Sequence, residues 1–170
     1  MKKPIDTTRL RLRPLTDDDA EWIYTLNHDP LWLRFIGSRG VATRDDALTY
    51  IGRIQAQLDE WGYGLLAVTD KHSGQPYGMC GLIKRPTMEP PDLGFALLAE
   101  ARGAGIAKEA AGAVLAWATE TGRFDRVTAS AHAENHRSIA LLKMLGFELI
   151  GKMFSRDVPE QRFFFYRCPR

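Results

Sequence analysis

The residues best suited to hold an anion form a short turn, Arg102-Gly103-Ala104-Gly105-Ile106-Ala107. Glycines without side chains let backbone N–H groups approach a negative charge, and a helix starting at the turn adds unpaired N–H groups and the positive end of its dipole. A diphosphate is the natural guest. A Walker P-loop needs Lys and then Ser or Thr after its second glycine, whereas Gly105 is followed by Ile106 and Ala107. A dinucleotide fingerprint needs a small residue three positions after the second glycine, usually near the start of a fold; Lys108 stands there and the turn falls late. A plain strand-to-helix turn fits the same letters, so the turn alone leaves its role open.

Other reactive residue types are sparse. His132 and His136 fall at an expected strand end and an expected helix start, with no third ligand nearby, so no metal is expected. Cys80 lies in an apolar strand pattern and Cys168 near the end of the sequence, without C-x-x-C spacing, so the fold should not need disulfides and a reducing cytoplasm fits. Trp22, Trp32, Trp61 and Trp117 have no basic stripe beside them and are expected to pack rather than to stack on bases.

The elements that must position these groups follow from periodicity. Leu10 and Leu12 alternate with Arg9, Arg11 and Arg13 in a half-buried strand; a helix capped by Thr16 or Asp17 follows and should stop near Asn27, before Asp29-Pro30. Thr43 and Asp46 form a capping pair for a second helix reaching about Leu58. Residues 63–68 and 77–83 suggest a hairpin, with residues 84–91 a loop, and residues 92–98 a third strand with Leu93, Phe95 and Leu97 on one face and Asp92, Gly94 and Ala96 on the other. Beyond the turn, Ile106, Ala110, Ala113, Val114, Trp117 and Ala118 recur at helical spacing; strand 127–132, helix 136–145 ended by Gly146, and strands 147–154 and 162–168 complete the chain. Strand, helix and strand across residues 93–132 should make one parallel crossover in an α+β arrangement with a mixed sheet.

The 170 residues, 45% hydrophobic and 26% charged, suit a single domain. The net charge of +2, without long runs of one sign, argues against nucleic acid as a partner and requires any anion site to be local. No apolar run approaches the ~20 residues of a membrane span and the opening residues are polar, so neither export nor membrane insertion is expected.

The stretch from Asp92 to Ala107, with Arg102, Gly105 and Ala107 at the places of an Arg/Gln-x-x-Gly-x-Gly/Ala core, resembles the acyl-CoA motif of GNAT N-acetyltransferases. A second block, Asn135-His-Arg-Ser138 through Leu145-Gly-Phe147, resembles the family's later helix and strand. The opening Thr8-Arg-Leu-Arg-Leu-Arg-Pro-Leu resembles the branch named for ribosomal-protein N-terminal acetyltransferases. The resemblance spans nearly the whole chain. It implies a mixed, mostly antiparallel sheet of about seven strands flanked by about four helices, with a splayed strand pair at the cofactor site. It also implies acetyl-CoA as co-substrate, a primary amine as acceptor (a protein N-terminus or a small molecule) and a monomer or homodimer.

Carried over residue by residue, the resemblance puts the pantetheine arm along Phe95, Ala96, Leu97 and Leu98. The pyrophosphate falls on the N–H groups of Gly103, Ala104, Gly105, Ile106 and Ala107, with charge assistance from Arg102. Lys108 is expected to be solvated. Asn135 would bond the cofactor arm or simply cap its helix. Asp92, on the small face of its strand, is the first candidate for the base and Glu89 the second; Asp92 as an ordinary strand-end residue is the competing reading. Many relatives carry a tyrosine five residues before the phenylalanine of the Leu-Gly-Phe block to protonate the departing thiolate; here Leu142 stands there. Ser138, one helical turn earlier, is the alternative donor. Residues 32–41 would shape the acceptor site. The alternative function is a non-catalytic module that binds acyl-CoA.

Overall fold

The structure is a computed structural model that describes residues 1–86, 89–155 and 158–169; Thr87 and Met88 of the expected 84–91 loop lie outside the described residues. Its strands are β1 (Ile5–Asp6), β2 (Leu10–Arg13), β3 (Leu65–Asp70), β4 (Pro76–Ile83), β5 (Asp92–Leu97), β6 (Arg126–His132), β7 (Glu148–Ser155) and β8 (Val158–Arg167). Its helices are α1 (Ala20–Asn27), α2 (Pro30–Phe35), α3 (Arg44–Trp61), α4 (Ile106–Glu120) and α5 (His136–Met144). The strands form one sheet in the order β1-β2-β3-β4-β5-β6-β8-β7, antiparallel throughout except between β5 and β6. The fold is therefore the expected α+β type.

Two additions to the expected set have local causes. Short β1 pairs with β2 through Ile5 and Asp6, and Asp6 is fixed there by two hydrogen bonds from Arg11. Asp29-Pro30 ends α1 as expected but also begins α2. Pro30 occupies the first helical turn, where its missing N–H costs nothing, and Asp29 Oδ1 accepts from Leu31 N at 2.9 Å and Trp32 N at 3.2 Å. The Thr43–Asp46 box forms in both directions, with aspartate serving where glutamate is usual: Asp46 N donates to Thr43 Oγ1 at 3.1 Å and Thr43 N to Asp46 Oδ2 at 2.8 Å. α3 runs past Leu58 to Trp61 and stops at left-handed Gly62.

The sheet separates two apolar layers. On one side Ala110, Ala111, Val114 and Ala118 of α4 and Leu142 of α5 pack on Leu66, Cys80, Leu93, Ala129 and Phe164. On the other, Ile23 and Leu26 of α1, Trp32 of α2 and Ala47, Ile51 and Ile54 of α3 pack on Ala67 and Met79. The alternation of β5 places Leu93, Phe95 and Leu97 against the α4 layer and Ala96 against the α1–α3 layer. Burying such side chains contributes about 1.5–3 kcal/mol each for the larger aliphatics, which holds the central strands rigid beneath the site. A buried anchor closes the start of α1: Asp19, 3% exposed, accepts from both Arg13 Nη atoms, Thr16 N and Trp22 Nε1, each at 2.8 Å.

Candidate active site

β5 and β6 meet at a single register pair, Asp92 with Thr128, and then part. Thr128 N donates to the Pro91 carbonyl and Arg102 to the Leu97 carbonyl, so odd-numbered residues of β5 face the β6 side. By strand alternation the backbone groups of Phe95 also face this gap, whereas those of Ala96 face β4. Leu98 is drawn away: its N–H donates to Tyr77 O at 2.9 Å and its side chain is buried in the α1–α3 layer. Of the four residues expected along a cofactor arm, Phe95 and Leu97 thus present backbone to the gap.

Two cavities open at the fork, of about 820 and about 610 Å³. Phe95, Ala96, Asn135 and Ser138 line both, and Trp32, Phe35 and Ile36 of the α2 region border both. The larger continues to Leu97, Arg102, Gly103 and Ala107; the smaller contains Asp92. Expected site residues from three separate stretches of sequence therefore converge. Ala104 and Gly105 form the exposed part of the turn outside the cavity lining, and Ile106 is buried in the α4 layer.

In the turn, Gly103 has φ 83° and Gly105 φ 77°, both in the left-handed region that other residues adopt at a cost. The backbone N–H groups of residues 103–108 find no acceptor among the described residues, so a row of donors precedes α4. The other side of the turn is braced. Arg9 Nη1 donates to Ala104 O at 2.9 Å while Arg9 Nε holds Glu109 Oε2 at 2.7 Å, and Thr7 Oγ1 donates to Glu109 Oε1. Burial raises the Glu109 pKa, but the bonds from Thr7 and Arg9 outweigh it and hold the carboxyl below its ordinary value.

Arg102 borders the larger cavity and is also engaged within the protein. Its Nη2 donates to Leu97 O at 2.8 Å and pairs with Asp29 Oδ1 at 2.8 Å, so the guanidinium links the turn to the end of β5 and the start of α2. Burial raises the Asp29 pKa, yet the Arg102 bond and the α2 N–H groups bring it below the ordinary carboxylate value. Lys108 is exposed beside the turn.

Asp92 is 2% exposed, with Oδ2 accepting from Arg85 Nε at 2.9 Å and Nη2 at 2.8 Å. Thr128 Oγ1 donates to Pro91 O at 3.2 Å and lies 3.5 Å from Asp92 Oδ1. Burial pushes the Asp92 carboxyl above its ordinary value, and the Arg85 charge opposes this only in part. A carboxyl whose proton affinity is raised in a cleft is a candidate proton acceptor. Glu89 is exposed and lines neither cavity.

Asn135 caps α5, its Oδ1 accepting from Ser138 N at 3.2 Å, and it still borders both cavities. The Ser138 hydroxyl makes no hydrogen bond to a described residue. Leu142 is 1% exposed in the core and borders neither cavity. His132 packs its ring 5.3 Å from Phe35, and among the described residues no group of three His, Cys, Asp or Glu side chains could hold a metal. Cys80 is buried with its thiol pushed up to about 12, and Cys168 is buried with its thiol also raised by burial. No helix among the described residues is long and apolar enough to cross a membrane.

Residues 9–148 match the family model described as an acetyltransferase (GNAT) domain. The chain belongs to the GNAT acetyltransferase family. Among solved structures, an acetyltransferase from Agrobacterium tumefaciens is 25% identical with a TM-score of 0.82, covering 97% of this chain and 94% of its own. The RimL ribosomal-protein α-N-acetyltransferase in complex with coenzyme A superposes with a TM-score of 0.84 at 16% identity, covering 97% and 98%. The microcin self-immunity acetyltransferase MccE, solved with acetyl-CoA and AMP, reaches 0.82 at 17% identity, covering 95% and 93%. At those two identities the likeness is one of fold.

Proposed function

We propose that this protein transfers an acetyl group from acetyl-CoA to a primary amine, with the larger cavity taking the cofactor and the smaller one the acceptor. One observation carries the reading: the turn before α4, whose N–H groups have no backbone acceptor among the described residues, borders through Gly103 and Ala107 a cleft that begins where β5 and β6 part. The donors suit a diphosphate, and the gap-facing backbone of Phe95 suits the amides of a pantetheine arm. Bound there, the cofactor would supply an acetyl thioester, whose carbonyl carbon accepts the amine lone pair as the carbon–sulfur bond breaks.

The chain's own residues would manage the protons. Asp92 accepts one from the acceptor's ammonium, directly or through water, so that the neutral amine can attack, and its raised pKa suits that task. Ser138, where the two cavities meet, donates a hydrogen bond to the departing sulfur. Since a free thiol has a pKa near ~8.5, a hydroxyl is enough to stabilise the thiolate. Asn135 orients Ser138 by fixing the first turn of α5. Residues 1–170 would act as one catalytic domain, and the free, buried cysteines support a reducing cytoplasm as its compartment.

A second reading has one specific observation behind it. Leu142 is sealed in the core at the position where the resemblance implies a tyrosine donor in many relatives, which favours an acyl-CoA-binding module without turnover. Thermal shift with acetyl-CoA, CoA, ATP and NAD tests the cofactor: stabilisation by the two CoA species alone is expected, and none from either would overturn both readings. Thiol release over a panel of amines and peptide N-termini separates them, with turnover favouring the transferase.

A further inference from the structure

The geometry points to an acceptor amine that carries a carboxylate, held by Arg39 and Arg53. This rests on the transferase reading above and names the class of amine it would use. Three arginines line the smaller cavity, Arg39, Arg53 and Arg85, against a single carboxylate, Asp92. Asp92 is committed to Arg85 by two hydrogen bonds. Neither Arg39 nor Arg53 has a carboxylate partner among the described residues. Glu134, the acid in the lining of the neighbouring cavity, is paired with Arg34 at 2.9 Å.

The two arginines share the cavity wall with Tyr50. Arg53 stands over the Tyr50 ring at 5.8 Å, one turn further along α3, and Arg39, in the segment before the helix, borders the same cavity. Burial raises the Tyr50 pKa, and the charges of both arginines oppose that rise, so all three groups share one region. An aromatic platform beside a guanidinium fork suits a planar oxyanion, which the fork can meet with two parallel hydrogen bonds.

The charge balance decides which amines enter. A simple ammonium approaching a cleft with two uncompensated cations is repelled, whereas an amine bearing its own negative charge is drawn in. Once seated, the same positive field favours the neutral, nucleophilic form of the amine. Small amino acids and peptides with an acidic residue near the N-terminus both satisfy this requirement.

Calorimetry on the CoA-loaded protein tests it with matched pairs: aminoalkyl carboxylates against their carboxamides, and N-terminal peptides with Asp or Glu against their Asn or Gln twins. The acidic member of at least one pair should bind about tenfold tighter or more, and the pair type that shows it identifies the source. In Arg39→Gln/Arg53→Gln the preference should fall below about twofold, while Arg53→Lys retains part of it because the charge remains but the fork is lost. Unchanged melting temperatures would show that both variants fold. Where turnover occurs, the double variant should raise KM for the acidic acceptor and leave kcat near wild type. Equal affinity for acidic and neutral twins, or no affinity for either, overturns the inference, and CoA-specific thermal stabilisation in the same protein would show that the cofactor reading survives it.

Discussion

Arg102 and Asp29 form an ion pair of 2.8 Å that joins the turn before α4 to the N-cap of α2. The segment expected to hold phosphate and the helix that borders both cavities therefore share one contact. Asp29→Ala removes the cap and the ion pair together, and loss of a cap of this kind costs about 1 kcal/mol. Melting should fall by roughly 2–4 °C. If α2 is positioned through this pair, KM for the acceptor should rise as well; a variant with lower melting temperature and unchanged KM would confine the pair to stability.

The turn makes a sharper demand on backbone. Gly105, at φ 77°, should tolerate Asn better than Ala, because Asn visits the left-handed region at lower cost. Gly105→Ala should lose about 1–2 kcal/mol of stability and bind CoA more weakly in titration calorimetry. Equal behaviour of the two variants would show that the turn relaxes to another conformation.

Asp92 links chemistry to pH. Its folded pKa is raised, so its contribution to stability is fully present below the unfolded value of 3.8 and is lost as pH rises through the folded value. Asp92→Asn should flatten that part of the stability curve, measured by urea unfolding across pH. If Asp92 is the base, the same variant should lower kcat by about 10²-fold or more and abolish the acidic limb of the rate profile. An intact acidic limb would move the base elsewhere.

Asp19 has the opposite sign. Burial raises its pKa, but the Arg13 pair, the Thr16 N–H and the Trp22 N–H together hold it below the ordinary value. Its stabilisation is present above the unfolded value and lost as pH falls through the folded one. Asp19→Ala leaves a half-buried guanidinium unpaired and should cost about 3–5 kcal/mol in denaturant unfolding.

Ser138→Ala should reduce kcat by roughly ten- to a hundredfold with little change in KM for acetyl-CoA, the size of one hydrogen bond to a developing charge. Wild-type turnover in this variant would remove Ser138 from the mechanism.

What could be read from the letters was what depends on near neighbours. The glycine turn, the alternating faces of β5 and the Thr43–Asp46 box are set within a few positions, and each appears in the fold. α2 was hidden because Asp29-Pro30 has two meanings: it ends one helix by excluding the preceding residue from helical geometry and starts the next by pre-setting φ. The Arg9–Glu109 brace joins residues 100 positions apart, and Arg102 is turned toward Asp29 by a helix that the sequence pattern did not announce. The paired arginines of the smaller cavity were equally out of view, because a basic residue in a loop and another on a helix share a cleft only after the chain has folded.

The lone Asp92–Thr128 rung gives the sheet a mechanical character. Beyond it no further β5–β6 ladder pair forms among the described residues, so one edge of the gap carries the main chain of Phe95 and the N–H of Leu97, while the core shared beneath the two strands keeps them in place. A linear guest that supplies its own amides in that opening acts as a removable strand, closing the ladder when it arrives and reopening it when it leaves. Occupancy should therefore be visible far from any reacting atom, as slower hydrogen exchange along β5 and β6.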